Sequence, residues 1–505
     1  MLKKHFKKII YLLLFPLFFI LHGHNAYFGL IPFEVLFSLL IKYVLITLLL
    51  ITISFSLYKN GTNAFLFVFF LLCVFFLFGP FHDWLKTIFP SSKLTSYSSV
   101  LPALAAMVIG LFWYLKRSRR NFQRLFLYSK LLLIFFVSME VLSLLFQIFT
   151  RETENNHLAV LINELKPTTI PNENKPDIFF VVFDEYASSK SLREDFNFDN
   201  SGMDSLFEAN KFFVSCDSRS NYNFTSFSLA STFSMNILKL IQSPILSEKT
   251  LLQSVKVIKQ SVFVNFLVRE GYKILNYGCF DINDYPTQTF PFFDNEYLAS
   301  TIDGQTIFAR IKKDIWWNFT MKNIFTGEIR ISDSYKLLKR SHLARNKINY
   351  EGLLREINTE SRQPKFVYVH LMLPHAPFYL DANGGLNSDT SIILKNINQK
   401  QAYLGQLNYA NQLLYKTMRL INDFRYSRPR VYIIEGDHGY RYFNDLDAGD
   451  KPFMNLNAYY FSDGDYKQIY NGISPVNTFR VVLNKYFNTS LPLLSDSSTY
   501  IVDPR

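Results

Sequence analysis

The first 150 residues read as a succession of apolar runs, and the remainder as short apolar blocks alternating with polar ones. Five of the N-terminal runs, near 7–25, 35–58, 63–81, 99–115 and 126–149, match the length of about 20 residues that crosses a bilayer as a helix. They predict a five-helix transmembrane domain over 1–150. Residues 151–175 are polar and contain Pro167 and Pro171, the composition of a linker. Asp177–Phe183 then gives an apolar run expected of a strand covered on both faces. Residues 255–269 predict a helix stopped at Gly271, and Tyr272–Tyr277 the next strand. Leu404, Leu407, Ala410, Leu414, Met418 and Ile421 step by three and four, one apolar stripe of a helix. That helix ends before Pro429 and feeds an apolar strand over 430–435. Ser474-Pro475 opens a further helix that runs to Phe487. The alternation predicts an α/β domain over 176–505 with a mostly parallel central sheet. In such a sheet, ligands collect at the carboxyl ends of the strands.

Charge settles topology rather than function. The formal balance is +12, but the densest basic clusters lie in short loops between apolar runs, which argues against nucleic acid as a partner. Lys3, Lys4, Lys7 and Lys8 fall on the same side of a five-span bundle as the loop Lys116–Arg124. That side is the cytoplasm, so everything beyond residue 150 lies outside the inner membrane. The first run follows basic residues as a signal peptide does, but more membrane follows it, and it reads as an uncleaved span. Lys42 and Glu140 interrupt the second and fifth spans. They are expected to reach water, Lys42 by snorkelling outward and Glu140 in a hydrated groove. The loop from Phe81 to Ser92 is amphipathic and suits the membrane surface. Three cysteines, with Cys73 in a span, make no disulfide framework, and Cys216 and Cys279 read as buried thiols.

Four segments carry candidate chemistry. The strand from Asp177 ends in two carboxylates, Asp184 and Glu185. Asn221–Ser228 places the hydroxyl of Thr225 at the start of a helix-like stretch. Phe366–Pro377 delivers His370 and His375 past a third strand. Arg430–Gly439 ends in Asp437 and His438, adjacent hard and borderline metal ligands, where Gly439 lets the backbone turn.

The order of these pieces resembles the sulfatase-like branch of the alkaline phosphatase superfamily. Within it, the chain is most similar to the membrane-anchored lipoteichoic acid synthases and lipid A phosphoethanolamine transferases. The resemblance implies that Asp184 (or its neighbour Glu185), Thr225, Asp437 and His438 bind a catalytic metal, with Thr225 as nucleophile. It implies that His370 and His375 act on the substrate. The chain also departs from its relatives. No histidine follows His438, where phosphoethanolamine transferases carry one. No cysteine or serine lies in the C/S-x-P-x-R motif that formylglycine sulfatases need.

Thr225 also suits a helix N-cap, a role compatible with catalysis because a helix N-terminus favours an anionic oxygen. His370 also suits a core position, while His375, between Pro374 and Pro377, is placed to protonate a leaving group. Arg441 and Asn223 are further candidates for holding a phosphate. Carboxylates with histidine suit zinc or manganese, whereas calcium prefers more oxygen ligands. The expected activity moves a phospho-head group from a phospholipid to an envelope glycan or glycolipid through a covalent threonine intermediate. The alternative is a phosphodiesterase or other ester hydrolase that uses the same site with water.

Overall fold

The computed structural model describes residues 10–503 except 59, 91, 151–164, 166–167, 169, 239–244, 316–332, 390–391, 393–397, 424–425 and 442–448. Most of the expected linker therefore lies outside the described residues. The chain forms two compact units, and they interleave in sequence. One comprises 1–154 with 293–330, the other 155–292 with 331–505.

All five apolar runs of the first unit are helical. They form α1 (Leu14–Ala26), α2 (Phe33–Tyr58), α3 (Gly61–Phe76) with α4 (Phe78–Ile88), α5 (Tyr97–Arg117) and α6 (Gln123–Thr150). Of these, α2, α5 and α6 are each long and apolar enough to cross a membrane, and α3 with α4 qualifies as a pair bent by 61°. The apolar helix Ile10–Ala26 is shorter. The unit is thus a helical membrane region, and its fifth crossing depends on that first short helix. Large apolar side chains such as Leu45, Leu131 and Phe149 are exposed along the spans, the surface expected against lipid.

The interrupting charges do not simply reach for water. Glu140 accepts from Asn25 Nδ2 at 2.6 Å and faces His22 Nδ1 at 2.8 Å. Lys42 Nζ lies 3.0 Å from Asp303 Oδ2. A protein partner takes the place of water at both positions, and a charge within a span is costly unless paired.

The second unit is built on a six-stranded sheet in the order β2-β6-β5-β1-β4-β3. Its strands are β1 (Asp177–Phe183), β2 (Phe213–Val214), β3 (Lys273–Tyr277), β4 (Lys365–Leu371), β5 (Arg430–Gly436) and β6 (Asn457–Phe461). β3, β4, β1 and β5 are parallel, while β6 and β2 add an antiparallel edge, so the sheet is mixed but mostly parallel. Every residue of β1, β4 and β5 is buried. Each large apolar side chain there contributes roughly 1.5–3 kcal/mol.

A polar bracket at the amino ends sets the register of these three strands. Asp177 Oδ1 accepts from the backbone of Lys365 at 3.0 Å, and Asp177 Oδ2 lies 4.0 Å from Arg430 Nε. The three partners are the first residues of β1, β4 and β5, so the strands start level and finish level. On one face, α7 (Ser189–Phe196), α8 (Ser201–Ala209), α14 (Asp333–Ile357) and α15 (Gln399–Asp423) pack over Phe179, Val181, Val367 and Ile434. On the other, α9 (Thr225–Ser234) and α16 (Pro475–Tyr486) meet Phe180 through Phe233 and Phe479. The helix expected over 255–269 is two, α10 (Glu248–Lys259) and α11 (Val262–Arg269), because Ser261 caps a new start. All three cysteines are free. Cys279 is buried as expected, but Cys216 is exposed, since it follows the two-residue edge strand β2.

Candidate functional site

Register alone brings three candidate side chains to one face of the sheet. Val182 pairs with His370, and Phe183 pairs with Gly436, so Asp184 and Asp437 stand level one residue further on. Residues two apart on a strand share a face, so His370, Asp184 and Asp437 point the same way. Their ligand atoms lie within 4.8 Å of one another, and all three residues are buried.

His438 joins them with its tautomer fixed. Its Nδ1 lies 2.7 Å from the carbonyl oxygen of Gly439, which can only accept, so Nδ1 carries the proton and Nε2 a lone pair. That lone pair faces Asp437 Oδ2 at 3.5 Å and Asp184 Oδ1 at 3.9 Å. Among the described residues, neither carboxylate oxygen has a hydrogen-bond partner. Three buried electron-rich atoms facing one another repel unless a cation lies among them, so this donor set fits a divalent metal. Thr225 Oγ1 lies 3.4 Å from the same Nε2. The remaining carboxylate oxygens are held from outside the cluster. Asp437 Oδ1 accepts from the backbones of Glu185 and His438, and Asp184 Oδ2 faces His370 Nε2 at 3.1 Å. Tyr368 OH in turn meets His370 Nδ1 at 3.0 Å, and the Cys279 thiol interacts electrostatically with both side chains. Outer contacts of this kind orient metal ligands.

Local sequence explains how the segments reach this point. Glu185 takes a left-handed conformation, φ +65°, directly after Asp184, a strained position that turns the chain away from β1. Gly436 lets that turn pass close, since a Cβ there would press on the backbone of Tyr186. Thr225 is the first residue of α9. The N-cap position is Phe224, which offers no side-chain acceptor, so Thr225 does not play the N-cap role open to it from sequence. Its hydroxyl is left facing the cluster.

Arg441 and His375 form the second half of the site. Arg441 donates its backbone N–H to Glu185 Oε1 at 2.9 Å and approaches His375 Nε2 through Nη2 at 3.1 Å. Its guanidinium lies over the Phe224 ring, 4.5 Å from the centroid, one residue from Thr225. His375 Nδ1 donates to the Ala376 carbonyl. Burial, with the nearby Arg441 charge, holds His375 below the usual histidine range, with Asp184 opposing. For Asp184, His375, His370 and His438 outweigh the upward push of burial and keep it below the carboxylate range. Burial raises Glu185 to about 8, against the pull of Arg441.

Asn223 is the candidate that the structure keeps out of the site. Its Nδ2 donates to the Ile501 carbonyl and its Oδ1 accepts the Ile501 N–H, so the amide clamps the C-terminal segment. Conversely, sequence reasoning missed His342, Tyr368 and Cys279. His342, on α14, feels the charges of His375, Asp184 and Arg345, and burial lowers it to about 4. A signal existed in the spacing. His342, Asn346 and Asn349 share one helix face, where Asn346 accepts from Met372 N and Asn349 donates to the His370 carbonyl.

Comparison with known proteins gives the family. The profile described as Sulfatase matches residues 192–480, more than half of the chain. A search of curated protein sequences returns no match. Among solved structures, the C-terminal periplasmic domain of the phosphoethanolamine transferase EptC from Campylobacter jejuni aligns at 12% identity, over 64% of this chain and 92% of that one, with a TM-score of 0.38. The integral membrane lipooligosaccharide phosphoethanolamine transferase A from Neisseria meningitidis aligns at 14% identity, over 98% and 96%, with a TM-score of 0.36. A putative sulfatase from Bacteroides thetaiotaomicron aligns at 10% identity, over 63% and 72%, with a TM-score of 0.38. With its profile match running from within α7 to the middle of α16, the chain belongs to the sulfatase family, and it is a membrane-region-bearing enzyme of that type.

Proposed function

We propose that the chain is a phosphotransferase of the outer face of the bacterial inner membrane, moving a phospho-head group from a phospholipid to a hydroxyl of an envelope glycan or glycolipid. The observation that carries this reading is Thr225 Oγ1 at the start of α9, 3.4 Å from His438 Nε2, beside the unpartnered oxygens of Asp184 and Asp437. Asp184, Asp437, His438 and Thr225 would hold the metal, zinc or manganese by donor type, and His370 would orient Asp184. A divalent ion in such a set supplies charge stabilisation and lowers the pKa of a bound hydroxyl.

In the first half-reaction the Thr225 oxygen forms a bond to phosphorus, and the bond from phosphorus to the diacylglycerol oxygen breaks. The proton lost at Thr225 and the proton gained by diacylglycerol balance. Arg441, beside Thr225 through Phe224, is the cation that meets the phosphate oxygens. His375 supplies the leaving-group proton. Burial and Arg441 hold its pKa down until the phosphate charge offsets the guanidinium; Nε2 then takes up the proton that Thr225 gives up and passes it to the diacylglycerol oxygen. The acceptor hydroxyl then takes the group from Thr225, and free Thr225 is restored. The helical membrane region supports a lipid donor, because it holds the chain where lipids are.

The test uses the full chain in vesicles with phospholipid labelled in its head-group phosphorus, an added glycolipid acceptor and ¹⁸O-water. Label recovered on the glycolipid supports transfer. Label recovered only as ¹⁸O-bearing free phosphoester would replace transfer with hydrolysis.

A further inference from the structure

Residues 293–330 lie in the chain between β3 and α14, yet they belong to the helical membrane unit. Their described part is a hairpin of two short helices, α12 (Asn295–Asp303) and α13 (Ile307–Asp314). Its sequence explains its shape. Asp294 caps α12 through Tyr297 N, Thr306 caps α13 through Ala309 N, and Gly304 ends the first helix.

The hairpin is fastened along the spans. Ile302 sits on Gly23, where an added Cβ would come within 2.8 Å of Ile302 Cγ2. Asp303 Oδ2 accepts from Lys42 Nζ at 3.0 Å and from the Tyr43 hydroxyl at 3.3 Å. Gly79 N donates to the Gln305 carbonyl at 2.9 Å, Arg310 pairs with Asp83, and Tyr97 donates to Asp314. Depth follows from these partners. Lys42 lies about 14 Å along α2 from Phe33, at 1.5 Å per residue. A charge so far into a span demands a counter-charge or water, and Asp303 is the counter-charge.

The outward side of the hairpin points the same way. Phe308 packs edge-on against Phe75 of span α3, with ring centroids 5.5 Å apart, yet it is 69% exposed. An aromatic ring lying beside a span and exposed there faces acyl chains. Its neighbour α4 likewise exposes Phe81, Trp84 and Ile88 at the spacing of one helix face, the habit of an interfacial helix. The α13 helix ends in exposed Lys312 and Lys313, suited to lipid phosphates.

We propose that the α12–α13 hairpin is inserted in the outer leaflet of the bilayer, with Phe308 among acyl chains, Asp303 neutralising Lys42, and Lys312 and Lys313 at the level of the phospholipid phosphates. The sulfatase-like unit is then tied to the membrane at two places in its chain, before residue 155 and again in the middle. The partner is the lipid bilayer. Continuity with the apolar span surface through Phe75 and Gly23 favours it over a second copy of the chain.

The test is site-directed spin labelling of the full chain in vesicles of phosphatidylethanolamine and phosphatidylglycerol, with Cys73→Ala and Cys216→Ser as background. A nitroxide on Phe308→Cys should be relaxed by oxygen and protected from a water-soluble nickel chelate. A nitroxide on Asp463→Cys, an exposed position of the α/β unit, should show the reverse. Nickel relaxation at 308 equal to that at 463 would place the hairpin in water and overturn the proposal. Shielding from both relaxants would overturn it in favour of a protein cover such as a second copy. Asp303→Lys should abolish nickel protection at 308, and Lys42→Asp with Asp303→Lys should restore it. A double variant that stays exposed would remove the pair as the anchor. None of these readouts depends on catalysis, so they stand apart from the fate of the proposed transfer reaction.

Discussion

Gly436→Ala should open the candidate metal site without touching a ligand. Gly436 is the last residue of β5, directly before Asp437, and its neighbour across the gap is Tyr186, two residues after Asp184. A Cβ at 436 would lie 3.1 Å from the Tyr186 carbonyl carbon, 3.2 Å from its nitrogen, and nearer still to its carbonyl oxygen. These are backbone atoms, so no side chain can rotate away, and an ordinary carbon–oxygen approach needs about 3.3 Å. The two strand ends must part, with the backbone bonds from Gly436 N to Leu456 O at 2.8 Å and from Leu456 N to Tyr186 O at 3.0 Å stretched in the process. Overpacking of this kind costs about 1–3 kcal/mol, and at roughly 2.1 cal/mol/K per residue each kcal/mol lowers Tm by about 1.5 °C in a unit of this size. The larger effect falls on the ligands, because disturbed support around a metal site costs about 10–100-fold in affinity. Metal titration of the full chain by elemental analysis after dialysis, with Tm measured alongside, reads both. A Gly436→Ala chain with unchanged Tm and unchanged metal affinity would refute the view that this close approach holds Asp184 and Asp437 together.

Thr225→Ala should abolish turnover yet keep most of the bound metal by elemental analysis, since water replaces one hydroxyl, while Thr225→Ser should keep part of the activity. For topology, a periplasm-active reporter fused after Arg505 should be active and one inserted at Ser118 inactive; the reverse pattern would move the catalytic unit to the cytoplasm. Glu270 bears on acid stability. It accepts from the backbone and hydroxyl of Thr168, both at 2.7 Å, and meets Lys175 Nζ at 2.9 Å. Burial would raise its pKa, but these partners outweigh it and hold it below the usual range. A carboxylate with a lowered folded-state pKa contributes fully above its unfolded value, about 4.3, and loses that contribution as pH falls through the lowered value. Tm of the wild-type chain should therefore fall more steeply below about pH 4.3 than that of Glu270→Gln, and parallel curves would count against the assignment.

The parallel core of the fold was legible because its physics is written locally. β1, β4 and β5 are buried on both faces, so each is a nearly unbroken apolar run, and each ends in the residues that make the site. β6 escaped notice because an antiparallel strand of five residues near the sheet edge leaves a short, mixed pattern. The ligand cluster was legible as types and order, but the pairing was not. That Asp184 stands level with Asp437 follows from the β1–β5 register, which the Asp177 bracket reaches at the far end of the strands through Arg430, a residue remote in sequence. Asn223 misled because proximity in sequence to Thr225 says nothing about direction, and Ile501, near the chain end, takes its amide. His342 was hidden in a helix whose other polar residues look like a solvated face. The hairpin at 295–314 was hidden for a similar reason, since two short amphipathic helices read as surface elements of an α/β domain. Only Lys42, a charge in a span with no evident partner, pointed to something missing.

Both half-reactions run through a covalent adduct on Thr225. The full chain, loaded with metal and held in vesicles of phospholipid labelled in the head group, should be stopped in acid, digested and mapped by mass spectrometry. The labelled phospho-head group should appear on Thr225, be absent from Thr225→Ala and disappear faster when a glycolipid acceptor is added. Turnover with no adduct, or an adduct on Ser226 or Ser228 instead, would contradict it.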